Sequence, residues 1–167
     1  MKSIIILFSL LITSTANAFS WSLFSYQTLY RNPIAYARSP EFSFHINKII
    51  GKKETYTEGV IGKDIGIVNL FFSDLRFQVN LEACGWITLD HKSDMAFPLL
   101  AADFLFAVPI EFSYKSLSGA FKINHISAHL GDGTENWSDK IVYSRDFISA
   151  HLSYEYILTQ DILYRIY

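Results

Sequence analysis

The chain has 167 residues, 14 basic and 16 acidic side chains, a formal net charge of −2 and a single cysteine. Lys and Arg nowhere cluster into an electrostatic footprint, so no nucleic-acid partner is expected. The lone Cys84 excludes an intramolecular disulfide, and with it a cysteine-built metal centre or a thiol–disulfide site.

Residues 1–18 read as a secretory signal peptide that is removed. Lys2 supplies the basic end, residues 4–12 are apolar, and Ala16-Asn17-Ala18 has the small-x-small form of a cleavage site. That apolar run is too short to cross a bilayer as a helix. Export is expected, with one domain in the roughly 149 residues that follow. Residues 19–40 show no clean period and contain Pro33 and Pro40, which predicts an irregular lead-in.

Residues 41–167 read as an antiparallel β-barrel-like domain. Phe42, Phe44 and Ile46 alternate with polar neighbours until Gly51-Lys52-Lys53-Glu54 breaks the pattern. A second strand covers 56–71, where Gly59, Gly62 and Gly66 predict an irregular, bulged course. Ser73-Asp74 then turns into the clearest strand of all, Leu75–Asp90. Leu75, Phe77, Val79, Leu81, Ala83, Gly85, Ile87 and Leu89 fall on one face, with no polar side chain. Arg76, Gln78, Asn80, Glu82, Cys84, Trp86, Thr88 and Asp90 fall on the other. Its length is roughly three times that of an ordinary strand and suits a wall crossing a bilayer at a tilt.

Leu99–Tyr114 repeats the design, with Phe104, Phe106, Val108 and Ile110 on the apolar face and Asp103 and Glu111 opposite. Pro109 lacks a donor, so a bulge or interrupted pairing is expected beside it. Ser116-Leu117-Ser118 turns into a strand over 119–130. A polar loop over 131–140 leads to a strand over 141–156, on which Ile148, Ala150, Leu152, Tyr154 and Tyr156 share a face. Thr159-Gln160-Asp161 makes a last turn into a short seventh strand.

Connections around Ser73, Leu117 and Gln160 are short, while 51–55, 91–98 and 131–140 are longer and polar. Outer-membrane barrels alternate short periplasmic turns with longer outer loops in this way. Aromatic residues make up 16 % of the chain and charged residues only 18 %, which suits a surface that meets lipid. After the signal no run of about 18 apolar residues remains, so any crossing must be made by strands. Six to seven long strands of up-and-down order are predicted. An odd number cannot close a bacterial barrel, so the expectation is an incomplete, open wall, truncated at its C-terminal side, with two unpaired edges.

The densest polar group is His125-Ile126-Ser127-Ala128-His129-Leu130-Gly131-Asp132-Gly133. Its plain reading is a strand end with turn chemistry. On a strand, four steps of ~3.3 Å part His125 from His129 by about 13 Å, too far to share a metal ion. No metal or cofactor is expected. His125 and Ser127 lie about 7 Å apart and form the minimum of an activated nucleophile, with Asp132 or Glu135 to orient the imidazole. A one-residue bulge near Asn124 would turn His125, Ser127 and His129 inward and every apolar group outward.

The runs "HISAHLGDG" and "LLAADFLFAVPIEF" resemble an uncharacterised bacterial family, domain of unknown function 1207, over about residues 33–156. In that family a His-x-Ser-x-His-Leu-Gly-Asp segment follows a strand carrying an aspartate, here Asp103. The resemblance implies an exported, outer-membrane-associated β-protein, in most members longer than this chain, and assigns no reaction. His125 and Ser127 are also similar to the His-x-Ser of outer-membrane lipid A deacylases, which would place Glu135 as the acid. Three functions compete. The favoured one is a non-catalytic outer-membrane barrel, or part of one, in contact with outer-membrane lipid and an unknown ligand or protein. The others are a membrane-embedded acyl hydrolase using Ser127 and His125, and a soluble secreted β-sandwich.

Overall fold

A computed structural model describes residues 19–33, 36, 38–48, 50–51, 54–91, 97–133, 142–158 and 163–167. The predicted signal peptide, Glu135 and the Thr159-Gln160-Asp161 turn lie outside the described residues. Among the latter there are eight strands: β1 (Phe19–Ser25), β2 (Phe42–Lys48), β3 (Thr55–Phe72), β4 (Leu75–Asp90), β5 (Leu99–Tyr114), β6 (Leu117–Leu130), β7 (Tyr143–Ile157) and β8 (Leu163–Ile166). They make one antiparallel sheet in the order β1-β3-β4-β5-β6-β7-β8, with β2 also paired to β3. The sheet is open, ending at β8 on one side and at β1 and β2 on the other.

This is the expected all-β, up-and-down architecture. Its start differs. Residues 19–25, expected to be irregular, form β1 along the second half of β3, with Phe19 opposite Phe72 and Ser25 opposite Gly66. β2 takes the first half, with Phe42 opposite Ile61 and Lys48 opposite Thr55. The cause is local and physical: Phe19, Trp21 and Leu23 alternate with Ser20 and Ser22, and β3 offers a row of backbone groups that need partners.

The polarity of the sheet is inverted relative to a water-soluble fold. Gln78, Asn80, Glu82, Glu111 and Lys122 are each 1 % exposed, whereas Leu81 is 54 %, Phe106 55 %, Ile123 54 % and Ile148 66 % exposed. Over the short-turn halves of β4, β5, β6 and β7 the apolar side chains face outward and most of the polar ones inward. At the short-turn end the outer face carries Tyr114, Tyr154, Tyr156 and Tyr164, all exposed.

Local irregularities serve this arrangement. β3 bulges at Ile67, since Gly66 pairs with Asn80 but Val68 with Val79. The extra residue changes the parity of the strand, so that Asp64 before it and Asn69 after it both face inward, opposite Glu82 and Gln78. A Cβ at Gly66 would collide with the Gln78 amide, which lies over that position. Beside Pro109 the β4–β5 ladder skips from Val79–Ile110 to Glu82–Ala107 without a change of register, the interruption that the missing N–H predicts. The two-residue turns Ser73-Asp74 and Lys115-Ser116 each place their first residue at positive φ, 57° and 52°, as primed hairpin turns require.

β6 carries no bulge. It pairs in unbroken register with β5 and with β7. His125, Ser127 and His129 therefore share the outer face with Phe121 and Ile123, and Ile126 and Ala128 are the buried ones. The predicted inward turn at Asn124 is corrected. Regular pairing on both flanks leaves no place for an extra residue.

Candidate functional site

Two polar assemblies stand out, one inside the curled sheet and one on its outer face. The inner one is held by residues 26–33, 36 and 38–40, which lie across the sheet as a strap. Glu111 accepts hydrogen bonds from the backbone N–H of Leu29 at 2.7 Å and of Tyr30 at 3.0 Å. Gln78 Nε2 donates to the Gln27 carbonyl at 2.9 Å. Further along, Arg38 pairs with Asp103 at 3.1 Å and lies 4.9 Å from the Trp86 ring centre. Tyr30 packs on His151 and edge-on against Tyr167, whose hydroxyl reaches the Asn32 carbonyl at 3.3 Å. Burial, together with the neighbouring Tyr167 and Tyr36, pushes the Tyr30 phenol above its ordinary pKa, which keeps it protonated.

Under the strap, Lys122 donates to Glu82 at 2.8 Å, with both side chains 1 % exposed. They meet across β5 because its intervening inward residues, Ala107 and Pro109, are short. Val60, Cys84, Leu105 and Ile126, with Trp86 and Phe147, form a dry layer nearer the long-loop end. Towards the short-turn end remains a cavity of about 350 Å³, bordered by Arg31, Arg76, Lys115 and Glu155 among mostly polar groups. The strap and the Glu82–Lys122 pair thus occupy part of the interior.

The outer assembly spans β6 and β7. Register sets Asp146 directly opposite His125, and Ser144 opposite Ser127. His125 Nδ1 and Asp146 Oδ1 are 2.7 Å apart, and Ser144 Oγ is 3.4 Å from His125 Nε2. The hydroxyl at the histidine is therefore that of Ser144 rather than Ser127, and the acid at its other nitrogen is Asp146 rather than Asp132. Ser127 is half-buried beside them, His129 lies tilted against Phe104 with ring centres 6.0 Å apart, and Asp132 is exposed in the turn after β6. Among the described residues no group of three or more His, Cys, Asp or Glu is arranged to hold a metal ion.

Sequence reading missed Ser144 and Asp146. The available signal was parity, since both stand on the stripe that continues as Ile148, Ala150 and Leu152 and interrupt it with polar groups. It also missed the strap's anchors, because Glu111 and Gln78 are remote in sequence from residues 27–30. No protein-family model matches the chain, and no curated protein and no solved structure matches it either.

Proposed function

We propose that the chain is an outer-membrane-type β-wall, exported and set in a lipid bilayer, whose outer face meets hydrocarbon and whose interior is closed by its own strap. One observation carries the reading: buried Lys122, Glu82 and Glu111 inside, and exposed Leu81, Phe106, Ile123 and Ile148 outside. Exposing such a stripe to water would forfeit about 25 cal/mol for each Å² that a lipid contact removes from water. Supporting it are the signal-like residues 1–18, the alternation of short and long connections, and the outward tyrosines at the short-turn end, where interfacial aromatics gather. The resemblance to domain of unknown function 1207 points to the same compartment. With the strap lying across its inner face, the wall takes a structural or binding role rather than that of an open pore. A soluble secreted β-sandwich fits less well, since a second apolar sheet is missing among the described residues.

The test is flotation. Full-length protein folded with vesicles of phosphatidylethanolamine and phosphatidylglycerol is expected to rise with them in a density gradient and to resist carbonate extraction. Monodisperse behaviour in buffer without detergent, with no recovery in the vesicle fraction, would remove the reading.

A further inference from the structure

On β6 and β7 the outer apolar face gives way sharply to polar side chains, while β5 beside them stays apolar with Phe104 and Phe106. On β6 it runs Phe121, Ile123 and then His125, Ser127, His129. On β7 it runs Leu152, Ala150, Ile148 and then Asp146, Ser144. The border falls at the same level on both strands, because Ile123 pairs with Ile148 and His125 with Asp146. We infer that Ser144, His125 and Asp146 form a serine-hydrolase triad that cleaves acyl esters of membrane lipids, with Ser144 as the nucleophile. The substrate class rests on the bilayer reading above; the triad itself does not.

The geometry has the required order. A proton on Nδ1 is donated to Asp146, which fixes the tautomer and leaves the Nε2 lone pair facing the Ser144 hydroxyl. The 3.4 Å contact is loose, as such contacts are in a free enzyme before substrate tightens them. His125 is 47 % and Asp146 84 % exposed, so the group opens onto the surroundings rather than into the sheet. Beside it an apolar groove of about 250 Å³ is lined by Leu81, Phe106, Val108 and Ile123, with His125 and Asp146 at its β7 end. An acyl chain lying in that groove brings its ester to the polar edge that His125 and Asp146 form.

The steps balance without a cofactor. Ser144 Oγ bonds to the ester carbonyl carbon as its proton passes to His125 Nε2. Ser127, opposite Ser144 in register, presents a hydroxyl to the oxyanion. Collapse breaks the carbon–oxygen bond to the alcohol, which leaves with the proton from His125. Water, deprotonated by His125, then attacks the acyl-serine; the fatty acid departs and Ser144 recovers its proton.

The test uses the full chain in the same vesicles, with released fatty acid measured by mass spectrometry and a fluorophosphonate label located by peptide sequencing. Wild type is expected to release fatty acid and to carry the label on Ser144. S144A and H125N are expected to lose at least about 100-fold in rate. S127A is expected to slow hydrolysis yet keep the label on Ser144, which separates an oxyanion donor from a nucleophile. Cold and heated gel mobility checks that each variant is folded. Undiminished release by folded S144A would overturn the triad, as would vesicle-inserted wild type that neither releases fatty acid nor takes the label. Protein that fails to float but cleaves a micellar p-nitrophenyl ester in a Ser144-dependent way would keep the triad and remove the bilayer.

Discussion

Glu82 and Lys122 offer the sharpest energetic test of the inverted interior. Their charged atoms are 2.8 Å apart and both side chains are 1 % exposed, so water screens neither. At an effective dielectric of ~20 their attraction is worth about 6 kcal/mol, set against several kcal/mol of desolvation for each ion. The pair is near balance while intact, and removing one partner strands the other. Glu82→Leu or Lys122→Met alone is expected to lower stability by about 3–5 kcal/mol, whereas the double variant is expected to regain most of it. Lys122 also lies 5.8 Å from the Tyr36 ring centre, so its loss is expected to be the greater of the two. Urea titration of the vesicle-folded protein, followed by tryptophan emission and gel mobility, reads the cycle. With slopes of about 1–3 kcal/mol per M, each single variant is expected to shift the midpoint down by at least about 1 M. Single variants within about 0.3 M of wild type, or a double variant as unstable as the sum of the two, would refute the claim of a sealed ion pair.

Leu81→Arg separates lipid from water outside: near the middle of a bilayer it is expected to cost about 2–4 kcal/mol and to reduce flotation, while on a soluble protein an exposed Leu81 accepts arginine with little change. Glu111→Ala removes the acceptor of two backbone N–H groups and is expected to free the strap, read as faster tryptic cleavage after Arg31 in folded protein and a loss of about 3 kcal/mol or more. Lys115→Gly relieves a positive φ and is expected to raise stability by about 0.5–1 kcal/mol in the same urea titration; a loss would show that the side chain, 5.2 Å from the Tyr114 ring centre, outweighs the backbone.

The residues of β4 determine their own structure without reference to any tertiary contact. Alternation over Leu75–Asp90 decides which side chains share a face, because that period belongs to the backbone of a single strand. The bulge in β3 and the broken pairing at Pro109 were legible for the same reason, as glycines and a missing donor act where they stand. β1 was legible too, in Phe19-Ser20-Trp21-Ser22-Leu23, and was hidden only by the prolines further along. Other features have no local signature. That β1 and β2 share one edge of β3, that residues 27–30 dock on Glu111, and that Lys122 finds Glu82 over two small residues of β5 depend on register and curvature summed across several strands. The outer site shows the division most plainly: parity within β7 faces Ser144 and Asp146 the same way. Only the pairing of β6 with β7, set through a long loop, brings the aspartate to one nitrogen of the His125 ring and the serine to the other, since a shift of one residue would turn those groups to opposite faces.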